Sequence, residues 1–394
     1  MSGRATRTGT RFDHGFVALT DSDADIYRER ARQAVRREEM LKLILYSAAL
    51  AAAIGGAQHS AARGARVAPA RDVGVVTGER WLLVYDGGRT PTHYDSASYA
   101  LMLTGAGRCT TQLFTGAIFL ALQRKENGHW FTSWVTGGQR LGPATGEDWE
   151  SYIGTLTAPN GPLQQLDRGA AGAGLARPLD VAVMLPYLGN VPPRVSVFSL
   201  AGRDFAVDSA AGRDSAYAAY ITLLLRRITP ARYPHLRLRA TYWLSESVKN
   251  IDTAVVASVA RTVHGDGLRF LWIPYSGARN LTRWRALGFD EAWFQPNYFF
   301  QLGADSDRVR RAGATAEANG MGLELEFNSL LFSDQRYRER FAPYLEYVRS
   351  ARPQSVALYD GQGDLSRLLT SKDPQIADQA DDLARLLCGP VSSP

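Results

Sequence analysis

The chain has 394 residues, 45% of them hydrophobic and 21% charged, an ordinary balance for a globular protein and enough for one large core or two smaller ones. Net charge is +6 with a pI near 9.3, which leans weakly towards an acidic polymer. Only four of the 45 basic residues are lysines, the arginines are scattered, and neither a compact basic motif nor a nucleic-acid module is present, so nucleic acid is excluded as a partner.

The six histidines stand far apart and the two cysteines cannot form a zinc knuckle. The sequence carries neither a Gly-rich phosphate signature nor a nucleophile elbow. No metal or organic cofactor is therefore implied.

Residues 1–39 are polar and rich in Arg and Asp, and read as a disordered tail or a mis-assigned start preceding the true initiator Met40. Residues 40–62 then combine a short basic start, an apolar run at 43–57 and small residues, the three parts of a secretory signal. The rival is a membrane anchor through 43–57, short for a span; a buried Ala-rich helix is the third reading. Either of the first two places the protein outside the cytoplasm, secreted or at the cell surface. A linker is expected at 63–75 and the folded domain at 76–389.

Within that domain apolar runs alternate with amphipathic stretches. Strands are expected at 81–86, 114–121, 179–187, 236–244, 268–275, 291–297, 322–327 and 355–360. Helices are expected at 96–103, 147–155, 163–168, 215–227, 251–264, 281–287, 306–319, 337–351 and 376–387. Trp130 and Trp134 fall in a long polar loop, where an exposed aromatic suggests binding. The strands are near-continuous apolar runs, as parallel strands buried on both faces should be. Eight strand–helix units over about 310 residues predict a single-domain α/β fold, a (β/α)8 barrel, rather than an open doubly wound sheet.

Polar and aromatic residues gather at the C-terminal strand ends, where this barrel builds its sites. Glu324 and Glu326 alternate along the run GLELEF, so both face one side. Glu246 ends the run TYWLSE in another unit. Buried carboxylates are costly unless paired or used, and two of them facing each other are what glycosidic cleavage requires. Substrate contacts are expected from Asp86, Tyr187, Trp243, Trp272, Tyr275, Gln295, Asn297, Tyr298, Glu324, Tyr359 and Asp360. The alternatives are structural: paired ions for Glu246 and Glu326, a buried network member or a swapped role for Glu324, core positions for Trp272 and Trp293, a turn around Pro296 for residues 295–298, loop caps for Asp86 and Asp360.

Glu246 after the fourth strand and Glu326 on the seventh resemble the positions of acid/base and nucleophile in clan A glycoside hydrolases, with Ser245 where that clan often has Asn. The runs at 242–247 (YWLSES), 271–275 (LWIPY), 284–290 (WRALGFD), 295–298 (QPNY) and 322–327 (GLELEF) resemble, over about residues 81–387, the bacterial family called domain of unknown function 4855. That resemblance implies a glycoside-hydrolase-type barrel found among secreted bacterial proteins, acting on a polysaccharide or oligosaccharide. Glu246 would be the general acid/base and Glu326 the nucleophile or base. A non-catalytic carbohydrate-binding barrel and an anchored cell-surface interaction protein are the rivals. The oligomeric state is left open.

Cys109 follows the first helix and Cys388 ends the last. In a closed barrel these helices are neighbours, so a disulfide at the face away from the mouth is expected; two buried free thiols are the alternative.

Overall fold

The computed structural model describes residues 76–88, 94–109, 111–132, 143–188, 197–361 and 363–389. The expected tail, signal or anchor segment and the whole of the linker lie outside these residues, as does Trp134. Among the described residues no helix is long and apolar enough to cross a membrane.

In chain order the elements are β1 (Arg80–Tyr85), α1 (Ser96–Leu103), β2 (Gly116–Leu120), α2 (Gly146–Leu156), α3 (Pro162–Gly172) and β3 (Leu179–Leu185). Then come β4 (Val197–Leu200), β5 (Arg203–Ala206), α4 (Ala210–Arg227), β6 (Leu236–Trp243), α5 (Thr253–Gly265) and β7 (Arg269–Trp272). The chain continues through β8 (Glu291–Phe294), α6 (Asp307–Ala318), β9 (Gly322–Glu326), α7 (Leu330–Ser333), α8 (Gln335–Ala351), β10 (Val356–Tyr359), α9 (Asp364–Leu369) and α10 (Pro374–Cys388). Eight strands close into a barrel in the order β1-β10-β9-β8-β7-β6-β3-β2. Every neighbouring pair is parallel. The (β/α)8 expectation holds.

Strand parity divides each barrel strand between lumen and helix layer. On β1 the lumen side is Trp81, Leu83 and Tyr85. Trp81 meets Trp293 of β8 across the lower lumen at 6.3 Å between ring centroids. These two indoles fit only because Gly116 and Gly322 lie beside them: a Cβ on Gly116 would come within 2.5 Å of the Trp81 ring, and one on Gly322 within 2.4 Å of Trp293. Below them Arg269 bonds to both Glu79 and Glu291, and the Trp81 indole N–H donates to Glu79 at 2.7 Å. The bottom of the barrel is thus closed by packed indoles and an ion cluster, which leaves the C-terminal end as its only polar mouth among the described residues.

Helix starts follow local chemistry. Thr145 and Asp148 form a reciprocal capping box on α2, and Asp373 accepts from the first N–H groups of α10, whose first residue is Pro374.

Three expectations are corrected. The strands at 268–275 and 291–297 stop at Trp272 and Phe294, and beyond them only a single bridge joins Tyr275 to Gln295. The helix expected at 281–287 is two short 3-10 turns, Leu281–Arg283 and Arg285–Leu287, set between Asn280 (φ 61°) and Gly288 (φ 93°) in left-handed backbone. A hairpin that was not anticipated follows β3: β4 and β5 pair antiparallel around Ala201 (φ 53°) and Gly202 (φ 71°), a two-residue turn whose twist suits a hairpin.

Cys109 and Cys388 are joined as a disulfide with a Cα–Cα distance of 5.5 Å. Beside it Arg108 pairs with Asp381, so the end of α10 is fastened to the segment after α1.

Candidate active site

Counting barrel strands only, β6 is the fourth and β9 the seventh. Glu324 and Glu326 lie on the lumen face of β9 and are each 1% exposed. Glu246 stands three residues beyond β6, half-buried at the mouth. Three carboxyl groups are thereby gathered at the C-terminal end of the barrel, close enough for Glu326 to raise the pKa of both others.

Their surroundings differ. The Tyr344 hydroxyl, from α8, donates to Glu326 Oε2, and the Tyr298 backbone N–H donates to the same oxygen at 3.2 Å. The Asn297 N–H is a further donor, and the Arg308 guanidinium lies nearby. Two successive N–H groups reach one carboxylate because Asn297 has left-handed backbone (φ 49°), a conformation Asn tolerates better than most residues. Arg340 fixes that loop by donating to the carbonyl oxygens of Tyr298, Phe299, Gln301 and Ala304. Burial pushes the Glu326 carboxyl up to about 7, and these donors restrain the rise.

Glu246 has no such cradle. Burial and the charge of Glu326 push it up to about 7, relieved only by the Gln295 side chain. Glu324 is pushed up well above the usual range by burial, then by Glu326 and Glu246, again with Gln295 as its one relieving partner. Among the described residues no guanidinium or ammonium counters Glu246 or Glu324.

The remaining candidates divide. Tyr359 faces the lumen, 5.3 Å from the Tyr85 ring and 5.8 Å from Phe300. Gln295 and Tyr275 are half-buried at the mouth and joined by the strand-like bridge. Tyr187 sits after β3, its hydroxyl donating to Asp252 at 2.8 Å, with the Lys249 ammonium 5.9 Å from its ring.

Others are buried away from the lumen or beneath the loop at the mouth. Trp243 and Trp272 are 1% and 0% exposed. Both point into the helix layer, Trp243 against Tyr217 of α4 and Trp272 stacked on Phe289 at 4.9 Å. They are core residues, because adjacent parallel strands in this register send paired positions the same way. Tyr298 is also buried, its ring under the Arg340 guanidinium at 3.7 Å, and it serves Glu326 through its backbone. Asn297 does likewise. Asp86 is buried between the helix tyrosines Tyr99 and Tyr152 and accepts from the Gly87 N–H at 2.7 Å. Asp360 accepts from Tyr94 and from the Leu365 N–H at 3.1 Å. Each accepts a backbone N–H of the segment that follows it. Trp130 is buried rather than displayed.

Sequence reasoning missed Tyr344, Arg308 and Tyr85, and did not single out Tyr242. Parity had the signal for two of these: Tyr85 shares the face of Trp81, and Tyr242, not Trp243, points into the lumen. Tyr344 lies on the buried face of an amphipathic helix and carries no mark of a functional role.

Fold and site together define a parallel (β/α)8 barrel with a three-carboxylate cluster at its C-terminal mouth. The chain belongs to the family described as Domain of unknown function (DUF4855), whose model matches residues 80–385. No curated protein matches it. Among solved structures it is similar to a GH113 β-1,4-mannanase solved as a complex (TM-score 0.42, 10% identity, covering 79% of this chain and 99% of that one). It is also similar to the pneumococcal virulence factor StrH, in a structure described as giving insight into N-glycan recognition and hydrolysis (TM-score 0.38, 8% identity, 78% and 84%). A third is the tryptophan synthase α2β2 complex of the hyperthermophile Pyrococcus furiosus (TM-score 0.34, 9% identity, 80% and 99%). At this distance the likenesses carry no argument about chemistry.

Proposed function

We propose that the protein is a glycoside hydrolase using two carboxyl groups, Glu246 as general acid/base and Glu326 as nucleophile or base. One observation carries the reading: two carboxyl groups at one mouth differ in support. Glu326 has a hydroxyl, two backbone N–H groups and a guanidinium arranged to favour its anion. Glu246 has burial and a neighbouring negative charge, which favour its acid form. Burial pushes both up to about 7, so the donors fixed around Glu326, not a gap between the two titrations, tell the roles apart.

Glu246 would give its proton to the leaving glycosidic oxygen. Glu326 would then attack the anomeric carbon or draw a proton from water, the choice following from the carboxyl separation. Tyr344 and the Tyr298 N–H would hold Glu326 in one orientation while its charge changes. The Cys109–Cys388 bridge supports an extracytoplasmic location, since disulfides persist in oxidising compartments.

The test is leaving-group dependence. Glu246→Gln should lose turnover on natural glycans but keep much of it on aryl glycosides with very good leaving groups, which need little protonation. Glu326→Gln should lose both. Wild-type rates in either variant on a cleaved natural glycan reject the assignment.

A further inference from the structure

The floor of the mouth holds more acceptors than its own donors satisfy. Gln295 bonds to both Glu246 and Glu324, which engages its amide N–H groups. Among the described residues, three acceptor oxygens then remain buried without a hydrogen-bond partner: Glu246 Oε2, Glu324 Oε2 and Gln295 Oε1. Glu324 is the decisive one, because it is 1% exposed and its free oxygen has lost water without gaining a donor. Such orphaned groups are uncommon in folded proteins and point to something that completes them.

We propose that this floor binds a protonated amine on the sugar ring, so that the substrate class is a glycan bearing free amino groups rather than a neutral or N-acetylated one. The inference rests on the glycosidase reading above and names the substrate of that same site. An ammonium brings three N–H donors and one positive charge. Both match the site: the orphaned acceptors, and in Glu324 a carboxyl group that no cation among the described residues faces, while Glu246 keeps the proton it gives to the leaving oxygen. A sugar hydroxyl at that position supplies one donor and no charge. The half-buried rings of Tyr85 and Tyr359 add aromatic faces, which favour a cation. A bare divalent ion matches less well, since among the described residues no three acidic or histidine side chains form a metal-binding group. The chain's overall charge of +6 does not oppose this. The arginines that carry it are scattered along the sequence, and charge between exposed groups is screened beyond about 8–10 Å at physiological salt.

Empty, burial and the neighbouring carboxyl groups push Glu324 well above the usual carboxylate range. A bound ammonium takes the place of the Glu324 proton, which leaves to solvent. Binding should therefore release protons and tighten as pH rises, until the amine itself deprotonates.

Calorimetry on the full chain with chitosan tetramer, N-acetylchitotetraose and cellotetraose tests this, with cleavage followed in parallel by chromatography. Chitosan tetramer should bind at least tenfold more tightly than the other two, with a binding enthalpy that depends on the buffer's ionisation enthalpy. Glu324→Gln, near-isosteric, should reduce that preference to less than threefold. Equal or weaker binding of the amine form, or a preference that survives in a folded Glu324→Gln protein, overturns the inference. If Glu324→Gln does not fold, the wild-type preference and proton release decide alone. The parent reading fails separately. Cleavage of a neutral glycan that needs Glu246, without amine preference, keeps the glycosidase and removes this inference. Amine preference without cleavage of any tetramer or polymer keeps the amine site and removes the glycosidase.

Discussion

Tyr344→Phe is the sharpest probe of how the site sets its charges. The substitution removes the hydroxyl that donates to Glu326 and leaves the ring in place. A hydrogen bond to a charged group is worth roughly 1.5–3 kcal/mol, and about 1.4 kcal/mol corresponds to one pH unit. The Glu326 carboxyl, already at about 7, should therefore rise by about one to two pH units in the variant. At pH 7 its ionised fraction falls from about one half to between roughly 1% and 10%, so turnover that needs the anion should drop about 5- to 50-fold and recover as pH is raised. The same hydroxyl accepts from the Phe299 N–H at 3.2 Å, so about 1–3 kcal/mol of stability should be lost as well. Carbon-13 NMR of glutamate-labelled protein reads the titration without any substrate. Tyr337→Phe, on the same helix and packed on Phe299, is the control and should leave Glu326 unmoved. A Glu326 titration unchanged in Tyr344→Phe refutes the reasoning.

Stability should fall as pH rises from about 5 to 8. Glu246, Glu326 and Glu291 are each pushed up to about 7 from an ordinary 4.5, so the folded state holds protons that the unfolded chain has released. That advantage is complete below about 4.5 and lost through about 7; a Tm that climbs steadily between pH 5 and 8 contradicts it. Breaking the disulfide with Cys388→Ser should cost about 2–4 kcal/mol in denaturant unfolding without changing KM, because the bridge restrains the unfolded chain far from the mouth. Trp272→Phe should lose about 2–4 kcal/mol, from the Phe289 stack and the indole N–H bond to the Ser245 carbonyl (2.8 Å), while leaving KM unchanged. A large KM change there would return Trp272 to the sugar site.

The barrel was legible because its strands are apolar on both faces, and GLELEF and WLLVYD stand out against amphipathic helices. Their C-terminal limits were not, because Pro296 and left-handed Asn297 end pairing where the polar residues still read as strand. The hairpin at 197–206 was missed although Ala201-Gly202 between Val197-Phe198-Ser199-Leu200 and Arg203-Asp204-Phe205-Ala206 has a hairpin's length and glycine. The carboxyl groups were readable from their unit positions. Their supports were not, since Tyr344 and Arg308 arrive from helices whose buried faces look like ordinary core. Where strand ends were read for chemistry, the residue chosen does not always face the lumen. Asp86 and Trp243 face the helices, and the residues just before them, Tyr85 and Tyr242, face the lumen.

The most direct measurement is reducing-sugar release by the purified full chain across a panel of polysaccharides, beside Glu326→Gln and Glu246→Gln. The account predicts release from at least one polymer, abolished in Glu326→Gln and strongly reduced in Glu246→Gln, with both variants folded by circular dichroism. Release from some polymer at equal rates in all three proteins, or from none of a panel that includes chitosan, contradicts it.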